Sequence, residues 1–312
     1  MGNIFFDYLC ARCAGAKTII NYYCLAANLP GPEHLTAAEI TPKNLHSFRK
    51  LMLESKEICR NSAAQYMAQF RTFLNEVQKN CIFDDLKPFD WNTPLAIKQL
   101  RSHGVFLNND RLHDLENFSI PADTRRDLAQ SMRIAQLLAL ISSRTGARAS
   151  DVMRLTPSNI RGGLLTYVPK KTKDTSGKVC VVPVGPKTTA WIEEVAELSK
   201  NIDLSTDKAE KAFYVRYERT LKSICSIIQG DEWDEQVIVF EANEQKVKTF
   251  RDCITSHTLR HSFATNMYLD EEVGGDIYAI AQMLGHSSVD MTMTYICVPF
   301  NEKKMAKVKY FE

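Results

Sequence analysis

Apolar residues recur at helical spacing over about the first hundred residues of the chain. The pattern predicts one helix over 17–28 and a second that begins at Pro42. Thr41 is its expected N-cap, because a threonine hydroxyl can accept a free backbone N–H and proline suits the first helical position. A third helix is predicted to begin near Ser62. The apolar residues at helical spacing in it are Tyr66, Phe70, Phe73, Leu74 and Val77. We expect them to form a core.

The helical pattern stops between residues 82 and 104, where DDLKPFDWNTPL carries two prolines and several acidic residues. Such a stretch is typical of an interdomain linker. We therefore predict an α-helical domain over 1–82, a linker over 83–104 and a second domain over 105–312. A chain of 312 residues is long enough for two domains that each bury a core.

The second domain is predicted to contain mostly helices. They are a helix capped near Asn109, a helix over 121–143, a short helix with Ser150 as a possible N-cap, a helix marked by Trp191 and a helix around 208–228. The long helix is expected to end at Gly146. Its predicted inward residues are Leu128, Met132, Ala135, Leu138 and Ile141. The stretch 240–249 favours neither helix nor strand.

Two strand-like pieces interrupt the helices of this domain. They cover 164–169 and 178–184 and flank a polar turn that contains Gly177. This arrangement predicts a β-hairpin with a longer loop. The expected fold class is therefore mostly α with a small β-sheet or hairpin (α+β).

The stretch 255–295 concentrates candidate chemistry. His257 and Arg260 are three residues apart in a predicted helix and should share a face. Gly285 is placed to cap a second helix in a left-handed conformation, so His286 falls in a tight turn. Ser287 and Ser288 are N-cap candidates for a further helix, with Asp290 in its first turn and Tyr295 about two turns into it. A cation, two imidazoles and a phenol in one place suit chemistry on a phosphodiester.

Composition adds little to this interpretation. The net charge is +2, the pI is about 8.0, and 45% of residues are hydrophobic. Local basic clusters are nevertheless present, and a local groove is what contacts phosphates. They are Arg161, Lys170, Lys171, Lys173 and Lys178 around the hairpin, and Lys303, Lys304, Lys307 and Lys309 in the tail. For the tail, a solvated face is an equal alternative.

Nine cysteines lack zinc-ligand spacing, so we expect free thiols, no metal and no cofactor. Neither a signal peptide nor a membrane span is evident, which predicts a cytoplasmic protein without membrane contact.

Five elements in one order resemble the tyrosine recombinase (phage integrase) family: TGARASDVMRL, the hairpin with PKKTK, HTLRH, LGHSS and a tyrosine nine residues after that last histidine. The resemblance covers 105–297 and implies the catalytic domain of that family. The helical first section is similar to the SAM-like core-binding domain of Bacteroidetes-type site-specific integrases. The resemblance therefore implies a bacterial, nucleoid-associated enzyme that binds double-stranded DNA as a homo-tetramer. The chain begins almost at the core-binding helices, so the resemblance is to the simpler two-domain members of the family.

The resemblance also implies a role for each site residue. Tyr295 would attack the scissile phosphate and form a 3′-phosphotyrosyl link without metal or ATP. Arg148 and Arg260 would hold the non-bridging oxygens. His257 would move the tyrosine proton, and His286 would donate a hydrogen bond to the phosphate.

Three further positions complete the implied site. Lys171 would protonate the departing 5′-oxygen, although Lys170 and Lys173 lie close by and strand alternation puts 171 and 173 on one face. Asp151 would support Arg148. His261 is interpreted as structural. In the tail, Val308, Tyr310 and Phe311 could anchor a C-terminal segment on a neighbouring protomer, the alternative being a frayed end.

Three other functions stay open on the residues alone. They are a DNA-binding relative that has lost strand transfer, an enzyme similar to type IB topoisomerases, and a helical interaction protein. The intact set of arginines, lysine, histidines and tyrosine argues against the first of them.

Overall fold

The computed structural model describes residues 16–79, 96–99, 104–174, 177–241, 244–270 and 275–297. The chain divides into two compact units. One is residues 1–102 with 240–246, and the other is residues 103–239 with 247–312. The predicted linker lies outside the described residues except for 96–99 and 104, and the tail anchors Val308, Tyr310 and Phe311 lie outside them altogether. The predicted domain boundaries therefore remain predictions.

The described residues of the first unit form three α-helices: α1 (Ala16–Ala27), α2 (Pro42–Glu54) and α3 (Arg60–Lys79). The cap predicted for α2 is confirmed, because the Thr41 hydroxyl accepts the N–H of Asn44 at 3.2 Å.

Aromatic rings among the described residues pack together in the core of the first unit. Tyr23, Phe48 and Phe70 pack with centroids 5.0 to 5.6 Å apart. Phe70 and Leu74 are buried and Tyr66 is partly buried, as predicted, while the side chains of Phe73 and Val77 lie outside the described residues.

The helices of the second unit follow the predicted order. They are α4 (Asn109–Asn117), α5 (Arg126–Thr145), α6 (Ala149–Val152), α7 (Pro186–Ser199), α8 (Asp207–Ile227), α9 (Asp231–Asp234), α10 (Ser256–Leu269), α11 (Ile277–Leu284) and α12 (Val289–Met293). Helix α5 is the centre of this unit and packs against α7, α8 and α10. Its middle and end are buried on every side. Leu128 was wrongly predicted to point inward: it lies in the exposed first turn.

Gly146 ends α5, as predicted, in a left-handed conformation with φ 68°. A β-carbon there would lie 2.5 Å from the Phe263 ring and 2.6 Å from Leu284. Glycine is therefore required both by the backbone and by the close approach of α10 and α11. This approach brings the Gly146 carbonyl to the inside of the second unit.

Strands β1 (Ile160–Arg161), β2 (Leu164–Tyr167) and β3 (Cys180–Pro183) form an antiparallel sheet in the order β1-β2-β3. Leu165 pairs with Val182 in the centre. Both hairpin strands are shorter than predicted, because the loop between them contains a 3-10 turn over Lys170–Thr172. The lysines therefore do not lie on a strand, and the alternation predicted for Lys171 and Lys173 was wrong.

A second hairpin consists of β4 (Gln236–Glu241) and β5 (Glu244–Thr249). It includes most of the stretch that the pattern left unassigned.

The turn around His286 agrees with the sequence prediction, whereas the position of Tyr295 does not. Gly285 has φ 68°, and Ser288 caps α12 by accepting the N–H of Met291. Helix α12 is only five residues long, so Tyr295 lies in a turn beyond it rather than two turns inside it. Thr294 contributes to this early end, since its hydroxyl donates to the carbonyl of Met291 and competes with the helical pattern.

A second cap also differs from the prediction. Arg148, not Ser150, is the N-cap residue of α6, because the short helix begins at Ala149. None of the described helices is long and apolar enough to cross a membrane.

Candidate active site

The ring of Tyr295 is surrounded by the polar residues that the sequence analysis singled out. His261 stacks on it at 4.7 Å with an interplanar angle of 28°. His286 and His257 lie 5.0 and 5.2 Å away between ring centroids, and the Arg260 guanidinium carbon lies 5.2 Å from the ring centre. The half-buried phenol thus contacts one cation and three imidazoles.

Helix α10 holds Tyr295 through residues spaced four apart. The His261 Nδ1 donates to the Tyr295 carbonyl at 2.9 Å, and the Thr265 hydroxyl lies 3.4 Å from the same oxygen. Thr265 also accepts the N–H of Cys297 at 2.9 Å. The main chain on both sides of residue 296 is therefore fixed to α10. Sequence reasoning missed Thr265, although its spacing from His257 and His261 is a usable signal.

Arg260 is almost completely buried, with 1% of its surface exposed. It donates to the carbonyl of Gly146 at 2.6 Å, to the carbonyl of Leu284 at 2.7 Å and to the Nε2 of His286 at 2.9 Å. A guanidinium has five N–H donors. Its Nε has no partner in the described part of the chain. Donors therefore remain for an anion.

The bonds of His286 determine its protonation. An arginine cannot accept a hydrogen bond, so the Nε2 of His286 must accept, and its Nδ1 carries the proton and donates to the Thr292 hydroxyl at 2.9 Å. Burial, followed by the charges of Arg260, Arg148 and Lys178, lowers the pKa of His286 to about 3. The imidazole is therefore neutral and tied to Arg260.

Lys178 is a site residue whose contact sequence reasoning did not foresee. Its ammonium donates to the carbonyl of His286 at 2.6 Å. The bond joins the end of the hairpin loop, just before β3, to the turn between α11 and α12.

His257 and His261 are neutral for the same reason as His286. Loss of solvent around its ring, followed by the charges of His261, Arg260, Arg148 and Lys171, lowers the pKa of His257 to about 4, although the residue retains exposed surface. Burial also lowers the pKa of His261. A neutral His257 has a lone pair available beside the Tyr295 ring.

Arg148 contributes a second guanidinium to the site. The residue is half-buried, and its guanidinium makes no hydrogen bond or ion pair within the described ranges. Burial, followed by the charge of Arg148, lowers the pKa of Arg260. The positive charges of Arg148 and Arg260 repel each other in a site from which water is partly excluded. An anion bound by both guanidinium groups would therefore stabilise them.

Asp151 contacts the loop of the hairpin rather than the Arg148 side chain. Its buried carboxylate accepts the backbone N–H of Lys170 at 2.8 Å, and its other oxygen has no partner among the described residues. Burial raises the pKa of the carboxyl, while the Lys170 N–H and the charge of Arg148 oppose this rise.

The three candidate lysines have different surroundings. The Lys170 ammonium pairs with Glu210 at 2.5 Å and with Asp207 at 3.1 Å. The exposed Lys171 and Lys173 form no such pair within the part of the chain that the structure describes. Lys171 lies inside the 3-10 turn, and its charge acts on His257.

No group of three or more histidine, cysteine, aspartate or glutamate residues that could hold a metal ion is present among the described residues.

Comparisons with known proteins agree with this geometry. The model of the phage integrase family matches residues 114–302. The tyrosine recombinase XerD of Halalkalibacterium halodurans is 26% identical over 224 residues, which are 64% of this chain and 68% of that protein. The XerD of Listeria innocua is 25% identical over 240 residues, which are 75% of this chain and 70% of that protein.

Solved structures show the same fold. The XerH site-specific recombinase, bound to a palindromic difH substrate in a post-cleavage complex, has a TM-score of 0.60 at 16% identity and covers 93% of this chain and 76% of its own. The Tn1549 transposon integrase in complex with transposon right-end DNA has a TM-score of 0.58 at 14% identity and covers 98% of this chain and 97% of its own. The predicted mostly α fold with small sheets is confirmed.

The neutral state of His286 has a consequence for stability. An unfolded histidine has a pKa near 6.5 and the folded one about 3, so between these values the unfolded state binds more protons and acid favours unfolding. We expect the unfolding free energy to fall between about pH 7 and about pH 5 by about 1–2 kcal/mol more in the wild type than in His286→Gln. Urea unfolding at both pH values measures this. The exposed His113→Gln serves as control, and equal pH dependence of wild type and His286→Gln would contradict the assignment.

Proposed function

The chain belongs to the phage integrase family and is a tyrosine recombinase, and on this premise we propose the part that each side chain plays in site-specific cutting and rejoining of DNA. The observation that carries the proposal is the packing of the Tyr295 phenol against three imidazoles and a buried guanidinium. Beside them stands Arg148, a cation without an ion pair in the described residues. The site is thus a nucleophile next to a place for an anion.

The first step is a transesterification. The Tyr295 oxygen attacks the scissile phosphorus, the new bond from phosphorus to tyrosine forms, and the bond to the 5′-oxygen breaks. The 3′-phosphotyrosyl link keeps the number of phosphodiester bonds constant, so no ATP is consumed. A 5′-hydroxyl from another strand then attacks this link and releases the tyrosine.

Arg148 and Arg260 stabilise the charge that develops on the non-bridging oxygens. Planar guanidinium groups donate two parallel hydrogen bonds and stay charged even when buried. Arg260 is oriented before DNA arrives by its bonds to Gly146 and Leu284. Loss of one such preorganised donor typically costs about 3–4 kcal/mol of barrier.

His257 accepts the phenol proton during attack and returns it in the second step. Its pKa of about 4 leaves it neutral at physiological pH, and its ring lies 5.2 Å from the ring of Tyr295. His286 holds Arg260 through its Nε2. It donates to the phosphate once Arg260 turns its N–H toward an oxygen of the DNA and the imidazole changes tautomer: Nε2 takes up a proton, Nδ1 gives one up, and the Thr292 hydroxyl then donates to Nδ1.

Lys171 protonates the departing 5′-oxygen. Lys170 is a poorer choice, because its ammonium is already paired with two carboxylates. Asp151 holds the loop of Lys171 through the N–H of Lys170, and the charge of Arg148 favours the ionised carboxylate of Asp151.

The enzyme works as a homo-tetramer on double-stranded DNA. Exchange between two duplexes breaks four strands, and each protomer supplies a single Tyr295, so four protomers are required. The tail residues Val308, Tyr310 and Phe311 anchor each protomer on its neighbour.

Trapping of the covalent intermediate tests the nucleophile. The substrates are a series of overlapping duplexes that together cover the DNA flanking the gene. Each duplex carries a nick close to the phosphodiester under test. Cleavage then releases a short fragment with a 5′-hydroxyl, which diffuses away and leaves the covalent adduct trapped. We expect the wild type to form an adduct, in EDTA and without ATP, that persists in denaturing gels. Tyr295→Phe should form none, because it lacks the attacking oxygen. Tyr278→Phe, an exposed tyrosine on α11, should match the wild type. An equal adduct from Tyr295→Phe, or none from the wild type, would show the assignment to be wrong.

A sulfur substitution tests the general acid. Replacing the bridging 5′-oxygen by sulfur creates a thiolate leaving group that needs no proton. Lys171→Ala should slow cleavage of ordinary DNA by about 100-fold or more and regain nearly the wild-type rate on the sulfur substrate. Lys173→Ala is the matched control and should be affected little on either substrate. Rescue of Lys173→Ala instead would transfer the role to Lys173.

The tetramer is tested by native mass spectrometry of Tyr295→Phe mixed with its target duplex. We expect four protomers on two duplexes. Replacement of Val308, Tyr310 and Phe311 by alanine should leave binding to one duplex intact and reduce the tetramer, whereas replacement of Lys307 and Lys309 by alanine controls for charge. A tetramer that survives the first replacement undiminished would contradict the role of the tail.

A further inference from the structure

Helix α8 (Asp207–Ile227) contacts the active site through residues spaced four apart. Glu218 accepts the backbone N–H of Ser256 at 3.1 Å, and the Tyr214 hydroxyl lies 2.9 Å from the Ser256 hydroxyl, directly before His257. One turn earlier, Glu210 reaches the loop that carries Lys171. Positions 210, 214 and 218 share one face of a helix. This face therefore supports two separate parts of the site.

The Glu210 carboxylate is buried between two cations. Only 8% of the residue is exposed. Its Oε2 accepts the Lys170 ammonium at 2.5 Å and also contacts the Arg154 guanidinium. Burial alone would raise the pKa of Glu210, but its hydrogen bonds with Lys170 and Arg154 bring that pKa below the ordinary value. The carboxylate thus stays ionised and bound to the loop.

Lys170 is held at both of its ends. Its backbone N–H donates to Asp151 at 2.8 Å, and its ammonium is held by the buried Glu210 and, at 3.1 Å, by the exposed Asp207. The next residue in the same 3-10 turn is Lys171, whose own side chain is exposed. The direction in which Lys171 leaves the main chain therefore depends on how Lys170 is fixed.

Apolar packing does not replace this ion pair. A cleft opens beside it, lined by Ser150, Met153, Lys211 and Tyr214 together with Lys170 and Glu210. On that side the turn borders the cleft, and the Lys170 ammonium is held there by its ion pairs with Glu210 and Asp207. A buried pair that loses one partner leaves the other charge uncompensated.

We propose that Glu210 is a positioning residue for protonation of the leaving 5′-oxygen: it holds Lys170, and with it the turn that presents Lys171. The inference rests on the general-acid role given to Lys171 in the proposed function. Proton transfer requires the lysine nitrogen within about 3 Å of the oxygen, and small misplacements at a catalytic group can cost about 100-fold in rate. Glu210 itself touches neither DNA nor the reacting atoms.

Cleavage of ordinary and 5′-sulfur suicide duplexes by the full chain tests the inference. Glu210→Gln keeps the shape of the side chain and removes its charge. We expect it to slow cleavage of ordinary DNA about 10- to 100-fold and to regain nearly the wild-type rate on the sulfur substrate. Combined with Lys171→Ala, it should add no further defect on ordinary DNA, because both changes affect the same proton transfer. Glu197→Gln, an exposed carboxylate on α7, is the matched control and should behave as the wild type.

Lys170→Met removes the other partner at a half-exposed position and should reproduce the defect and its rescue if Glu210→Gln proves unstable. Equal slowing on both substrates would mean a merely structural role and would overturn the inference, as would an unchanged rate on ordinary DNA. If Lys171→Ala is rescued by sulfur while Glu210→Gln is not, only the positioning role fails. If Lys171→Ala is not rescued, the general-acid assignment fails and the inference fails with it.

Discussion

The buried guanidinium of Arg260 joins the segments that make the active site. It bonds to the end of α5 through Gly146, to the end of α11 through Leu284 and to the following turn through His286. A buried cation of this kind is stable only where carbonyl dipoles and an acceptor nitrogen replace water. The same contacts order the site, because the three segments can approach only where the guanidinium satisfies their acceptors. Folding of the second unit and preorganisation of its proposed phosphate site thus depend on one side chain.

Much of this arrangement could be predicted because short-range rules govern it. The Thr41 cap, the left-handed Gly285 and the Ser288 cap each depend on neighbours within four residues. The grouping of His257, Arg260, His286 and Tyr295 could be predicted from motif order, which carries long-range information that periodicity lacks.

The errors lie where local rules compete or where contacts span long distances. The helical spacing of its segment predicts Tyr295 inside a helix, yet the Thr294 hydroxyl bonds to the backbone carbonyl of Met291 and contributes to the early end of the helix. Alternation failed at Lys171 because the loop forms a 3-10 turn. The partner of Asp151 lies 19 residues away and that of Lys178 lies 108 residues away, and no pattern along the chain encodes such pairs.

The hydrogen bonds behind Tyr295, the proposed nucleophile, have a mechanical consequence. His261 and Thr265 hold the carbonyl of Tyr295, and Thr265 also holds the N–H of Cys297. Tension applied to the chain beyond residue 297 is therefore borne by the rigid helix α10 before it can reach the phenol. A protein fused at the C-terminus can pull on that end while the Tyr295 hydroxyl keeps its alignment. The geometry around the phenol is in this way insulated from forces applied beyond residue 297.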